Sequence, residues 1–286
     1  GGVSRLMDPD QMLELFRLRR IMKSLSLKMH NPEDYEKEFD PDAYFDHYFG
    51  KKSIEDGTRV SLFCLPVFAE MLKQSLPSDK EPNLSLLDIG AGPTIYSAMC
   101  FRNIVNRVYL TDFLDKNLTS LKDWSNGISS HDWLPTVKVI LRTEGVSGNM
   151  REFEPTVEKK TRELVHAGAI LYSNVHESPC VPDLPESEVD IVVTVFCLES
   201  ACKTIEEYRA ALRNIVVYLK KGGRFIIGSV IDDNIYNAGN QRMFWLLRLS
   251  VDDVMSSLES VGLDVSNAKI YTLEGEGVMF AMLTKF

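Results

Sequence analysis

The chain has 286 residues, 44% of them hydrophobic, enough to close one large core or one core with a lid. Charged residues make up 26%, which excludes disorder along the whole length, and the formal net charge of −9 repels phosphate backbones. Nucleic acid is therefore a poor partner, a small neutral or cationic ligand a better one, and no apolar run reaches the roughly 18 residues of a membrane span, so no membrane partner is expected.

The first residues, Gly1-Gly2-Val3-Ser4, lack the apolar stretch of a signal peptide. Residues 10–30 predict an amphipathic helix, with Leu13, Leu15, Phe16, Leu18, Ile21, Met22 and Leu25 dense among Arg and Lys. Residues 31–52 carry Tyr35, Phe39, Tyr44, Phe45, Tyr48 and Phe49 among acids. Such aromatics either anchor the segment to the core or form a lid over a ligand. A further helix is expected over 54–74, and the stretch Pro77 to Pro82 breaks it.

From Leu84 the chain alternates strand-like and helix-like segments. Strands are expected over 84–89, 107–112, 169–175, 189–196, 224–230, 268–273 and 277–284. Helices are expected over 94–103, through Trp124, over 205–219 and over 250–262. The 126–167 excursion is charged and ends in a surface helix. Gly222-Gly223 reads as the chemistry that closes the 205–219 helix. Alternation of this kind implies a parallel sheet covered by helices. The five cysteines, Cys64, Cys100, Cys180, Cys197 and Cys202, form neither a disulfide framework nor a zinc pair-of-pairs. A reducing compartment, the cytosol, is the natural reading. The five histidines also lack ligand spacing, and no metal is expected.

The sharpest local signal is Leu87-Asp88-Ile89-Gly90-Ala91-Gly92-Pro93-Thr94, which leaves a strand and enters a helix. Glycines there let the backbone turn tightly and approach a ligand. A dinucleotide fingerprint wants a third glycine three positions later, where this chain has Ile95. The second signal is Asp112, at the end of the next strand. A carboxylate in that place either accepts from both hydroxyls of a ribose or caps the next helix; with the glycine loop, ribose is favoured. A nucleoside without a pyrophosphate, such as S-adenosylmethionine, fits both signals. Asp88 either fixes the loop or reaches the ligand through water.

The string Asp88-Ile89-Gly90-Ala91-Gly92-Pro93-Thr94-Ile95-Tyr96 resembles the small-molecule N-methyltransferase family that includes nicotinamide, indolethylamine and phenylethanolamine N-methyltransferases. Phe39-Asp40-Pro41-Asp42-Ala43-Tyr44, Thr111-Asp112-Phe113-Leu114-Asp115-Lys116-Asn117, Phe196-Cys197-Leu198-Glu199 and Tyr208-Arg209-Ala210-Ala211-Leu212-Arg213-Asn214 agree with it. The resemblance runs from about Tyr35 to the C-terminus, leaving 1–30 as a helical extension and 31–286 as a methyltransferase domain, with a lid and helices over 31–75 and the core over 84–286. It implies an α/β, Rossmann-like fold with a mostly parallel seven-stranded sheet, flanking helices and an N-terminal helical lid.

The same resemblance implies that Tyr44 and the Gly90-Ala91 backbone contact the methionine part of S-adenosylmethionine, with Tyr35, Gly92, Thr94 and Tyr96 beside it. Asp112 would hold the ribose. Phe113 and Asn117 would line the adenosine site, and Asn174, Val175 and Val195 would complete it. Many relatives have Asp at position 174 and Tyr at position 49; here these are Asn174 and Phe49. For the methyl acceptor, Phe196, Glu199, Ser229, Asp233 and Tyr236 are implied. Nicotinamide-methylating relatives carry Asp at the Ser229 position, while amine-methylating relatives carry acids at the Glu199 and Asp233 positions. Glu199 and Asp233 are thus the candidate catalytic acids, and an arylalkylamine the favoured acceptor, with nicotinamide or another pyridine as the alternative. A catalytically weak cofactor-binding protein is the reading of another class. Read from the residues alone, Glu199 caps a helix and Asp232-Asp233-Asn234 is a solvated turn. A monomer is expected.

Overall fold

The central strand-forming runs, Leu84–Ile89 and Val189–Val195, are mostly apolar, the pattern of a sheet buried on both faces. In the computed structural model, which describes residues 8–24, 28–55, 61–77, 79, 81–273 and 277–286, seven strands join one sheet. They are β1 (Leu84–Ile89), β2 (Val105–Asp112), β3 (Ala169–Tyr172), β4 (Val189–Val195), β5 (Leu219–Val230), β6 (Leu263–Leu273) and β7 (Val278–Lys285). The order across the sheet is β3-β2-β1-β4-β5-β7-β6. Pairing is parallel from β3 to β5, and β7 lies antiparallel between β5 and β6.

Successive side chains of a strand point to opposite faces, so each run feeds two cores. On one face Leu86, Val108 and Val193 pack with Leu65 and Phe68 of α3 (Ser61–Gln74), below α4 (Tyr96–Phe101). The same core takes in Trp124 of α5 (Asp115–Ser125), Ile140 of α6 (Leu134–Thr143) and Leu164 of α7 (Met150–Ala167). On the other face Leu87, Ile89 and Val192 pack with Leu212 and Ile215 of α8 (Ile205–Val216) and with Val254 and Leu258 of α9 (Val251–Ser260). The chain moves outward from β1 to β3, then returns to place β4 on the other side of β1. That reversal opens a crevice at the carboxyl ends of β1 and β4, where open α/β sheets bind ligands.

Before the sheet's first strand, α1 (Pro9–Ser24) and α2 (Pro41–Phe49) precede α3, with short helical turns at Tyr35–Glu38 and Lys51–Glu55. A small second sheet joins Met29–His30, Met243–Trp245 and Ile235–Asn237, and α2 packs beside it. Tyr48 of α2 donates to the Asn237 carbonyl at 2.7 Å. Phe39 and Phe244 are buried in a cluster with Tyr35, Tyr44 and Tyr236 against them.

Several expectations change. The 54–74 helix is two, Lys51–Glu55 and Ser61–Gln74, with 56–60 outside the described residues. The 10–30 helix ends at Ser24, and 25–27, like Gly1–Ser4, lie outside them. The 126–167 excursion holds two helices; α7 buries its apolar stripe against the sheet and α6 packs its own on α3 and α7, rather than lying free. Gly222 and Gly223 do not close α8. They sit inside the twelve-residue β5, with Gly222 at φ +79°, and α8 ends at Val216. Gly223 is needed there because a Cβ would come 2.8 Å from the Asp190 carbonyl oxygen.

Candidate functional site

β1 delivers its chain to a bend whose backbone demands glycine twice. Gly90 and Gly92 have φ of +75° and +64°, a region in which only glycine rests without strain. A Cβ on Gly90 would lie 2.3 Å from the Cys197 Sγ, whereas one on Gly92 meets nothing within 4 Å. The Gly90 and Ala91 amides both donate to the Thr111 carbonyl, at 3.1 and 2.9 Å, which ties the bend to β2. Ile95, where a dinucleotide fold would have its third glycine, is fully buried in the core.

Asp112 ends β2 beside this bend. Its Oδ1 accepts from the Gly92 amide at 3.0 Å, and its Oδ2 from the Leu114 amide at 3.1 Å and the Asn117 side chain at 2.9 Å. An ionised carboxylate offers about four acceptor positions, so three internal donors fix the group and leave acceptor capacity for a ligand. Burial pushes its pKa up, against these donors. Asp88 is also buried and raised to about 7, chiefly by desolvation, and accepts from the Ser97 hydroxyl. It does not line the cleft; it holds the glycine bend to α4.

The cleft around these groups measures about 600 Å³. The bend and α4 contribute Gly90, Ala91, Gly92, Thr94 and Tyr96 to its wall. Asp112, Phe113 and Asn117 form the side above β2. Asn174, Val175 and Val195 close the side above β3 and β4, and Tyr35 and Tyr44 descend from the N-terminal segment. The structure thus brings together thirteen of the fourteen residues expected around S-adenosylmethionine. Phe49 is the exception: it shares with Phe45 a stripe of α2 that faces the core, is 0% exposed and stacks on Tyr96 from behind, 5.4 Å between ring centroids.

Of the five residues expected around the methyl acceptor, Phe196 and Tyr236 line the cleft. Phe196 holds φ +54°, strain for a bulky residue, and its amide donates to the Gly228 carbonyl at 2.8 Å. Tyr236 and Tyr35 share a short hydroxyl–hydroxyl hydrogen bond, and burial pushes both phenols up, so both stay neutral. Glu199 lies one layer behind. It is 2% exposed, its Oε2 accepts from the Val230 amide at 2.6 Å, and desolvation raises its carboxyl to about 7. Ser229 shares the Phe225 and Ile227 face of β5 and is buried away from the cleft. Asp233 is corrected outright: it is exposed on a turn, and its carboxylate accepts from its own neighbours, the Asn234 and Ile235 amides. The solvated-turn reading holds there.

The cleft also takes in Phe39, Cys197, Ser200, His176 and Lys203, which sequence reasoning did not single out. The signal for Phe39 and Cys197 lay in segments already noted, but their neighbours drew the assignment. The cleft's carboxylates among the described residues are Asp112 and, exposed at its mouth, Glu33, Glu36 and Glu207. Glu33 bonds the Lys203 ammonium across that mouth. No group of three His, Cys, Asp or Glu side chains among the described residues has metal-ligand placement.

The profile of the NNMT/PNMT/TEMT family matches residues 27–286. The nicotinamide N-methyltransferase of Caenorhabditis elegans is 30% identical over 261 residues, covering 88% of this chain and 90% of the relative. The indolethylamine N-methyltransferase of Oryctolagus cuniculus is 29% identical, covering 82% and 85%. Among solved structures, the magnesium protoporphyrin IX methyltransferase of Synechocystis PCC 6803 superposes with a TM-score of 0.54 at 10% identity, covering 89% of this chain and 95% of that one, a likeness of fold.

Proposed function

The chain belongs to the NNMT/PNMT/TEMT family, and from that membership we propose that it methylates a flat heteroaromatic nitrogen, uncharged when it binds, of the pyridine class. It is an S-adenosylmethionine-dependent N-methyltransferase acting on small molecules. S-adenosylmethionine supplies an activated methyl, which the acceptor nitrogen takes with its lone pair as the carbon–sulfur bond breaks onto sulfur. The residues fit it: Asp112 is anchored with acceptor capacity left for ribose hydroxyls, and Gly92 leaves open space where a side chain would stand.

The observation that carries the acceptor class is the wall of Tyr35, Phe39, Tyr44, Phe196 and Tyr236, which bears phenols and ring faces. The two acids expected to hold an ammonium stand outside it, Glu199 behind the wall and Asp233 on an exposed turn. Ring faces stack a planar acceptor, and they attract the positive charge that arrives on nitrogen as the methyl transfers. Neutral phenols orient polar substituents. A pyridine nitrogen carries its lone pair near neutral pH and requires no base.

A second reading, an arylalkylamine acceptor, is favoured by one observation. Glu199, raised to about 7 and hydrogen-bonded by the Val230 amide, is a proton acceptor of suitable strength directly under the cleft. An ammonium must lose a proton before it attacks, and general-base help is typically worth roughly 10²–10⁴-fold. Methyl-labelled S-adenosylmethionine, offered with pyridines, nicotinamide, arylalkylamines and indolethylamines, separates the two. Turnover on pyridines that survives Glu199→Gln supports the first reading. Turnover confined to alkylamines and lost in Glu199→Gln, with cofactor affinity intact, overturns it in favour of the second.

A further inference from the structure

A second chamber lies where α1, which precedes the family's matched region, crosses the outside of the small sheet; its remaining wall lies within the match. It measures about 330 Å³. Its floor is apolar, formed by buried Leu246 and Leu249, with Leu15 of α1 and Trp245 beside them. The N-terminus of α8 opens into it through Thr204, Ile205 and Glu206. Thr204 spends its hydroxyl on the Glu207 amide at 3.1 Å. The Ile205 and Glu206 amides, in the first turn, have no intrahelical partner, and the helix end favours negative charge.

Two further groups point to what fits there. Asn234 is 6% exposed, lines the chamber, and its carboxamide has no hydrogen-bond partner among the described residues. Its amide group is thus open to the chamber and available to a polar ligand group. Arg19 of α1 borders the chamber over the Trp245 ring, 5.4 Å from its centroid, with no carboxylate partner among the described residues. The other cations are engaged: Arg248 with Glu14 at 2.7 Å and Lys203 with Glu33. The chamber's acids are Glu206 and Asp253, and Asp253 accepts from the Ser250 amide in the cap of α9.

We propose that this chamber is a second small-molecule site, taking a ligand with an apolar body and one carboxylate. The body lies on Trp245 and the leucines. The carboxylate meets Arg19, the first-turn amides of α8 and the Asn234 amide hydrogens. Lys203 borders both this chamber and the main cleft, so an occupant reaching it competes with Glu33 for its ammonium.

The test is calorimetric titration of the whole chain, saturated with S-adenosylhomocysteine, with benzoate and separately with inorganic phosphate. One equivalent of benzoate is expected to bind, with affinity about tenfold lower in Arg19→Ala and in Asn234→Leu, and S-adenosylhomocysteine affinity unchanged in both. Should Asn234→Leu fail to fold, Arg19→Ala, on an exposed helical position, carries the test. Absence of benzoate binding, benzoate displaced by S-adenosylhomocysteine, or unchanged affinity in the variants overturns the site. Phosphate binding as tightly as benzoate overturns the requirement for an apolar body.

Discussion

At the scale of single residues, the site divides by how local its physics is. Gly90, Gly92 and Asp112 were legible because each answers a local demand: two positive φ angles at a tight bend and a carboxylate at a strand end. The acids near the acceptor were not. Whether an acid faces the cleft depends on the turn that follows β5, where Asp232 adopts φ +57° and Asp233 folds back onto the Asn234 amide. No spacing rule announces that turn. Phe49 failed for a related reason: α2 presents Tyr44 to the cleft and Phe45 and Phe49 to the core, and four aromatics in six residues conceal which stripe is which. Asp112→Ala is expected to weaken S-adenosylhomocysteine binding by about tenfold or more, since it removes the proposed ribose acceptor and frees the Gly92 amide it holds. Calorimetry showing unchanged affinity would remove the ribose assignment.

At the scale of elements, the glycine bend and the N-terminal segment set the cleft's two walls. The bend's two glycines are constrained differently, and substitution separates the constraints. Gly92→Ala meets no atom and is expected to cost only backbone strain, about 1–2 kcal/mol. Gly90→Ala adds a collision with Cys197 and should destabilise further; Cys197→Ala in the same chain is expected to recover part of that loss, read as urea midpoints. Equal midpoints for the two single variants would contradict this packing. In the N-terminal segment the aromatics divide between the core and the cleft wall. Phe45 and Phe49 anchor it in the main core, while Tyr35 and Tyr44 reach the cleft. The small sheet that steadies it was invisible in the sequence. Its strands are two or three residues long and pair Met29 with Met243, far apart in the chain.

At the scale of the whole molecule, alternation of strand and helix announced the fold, because strands buried on both faces read as unbroken apolar runs. The order of strands was not readable, since pairing is set by packing at long range; the residues marked seven strand-like runs, and the family resemblance joined them in one mostly parallel sheet. Two buried acids shape stability. Asp88 and Glu199 are both raised to about 7 by desolvation from ordinary values near 4. Between about pH 4 and 7 the unfolded chain gives up protons that the folded chain retains, so each contribution to stability is full at acid pH and lost as pH rises. Glu199→Gln keeps an oxygen for the Val230 amide and removes the charge. It is expected to match the natural chain near pH 4 and exceed it by on the order of 3 kcal/mol at pH 8, read by urea unfolding. A difference that is constant with pH would show that Glu199 ionises freely in the fold. The central claim, a nucleoside seated on the Gly90–Gly92 bend with its sugar on Asp112, is met most directly by a crystal grown with S-adenosylhomocysteine. Ribose hydroxyls within hydrogen-bond distance of the Asp112 carboxylate are predicted; an empty cleft, or a ribose bound elsewhere with Asp112 still turned inward, would contradict it.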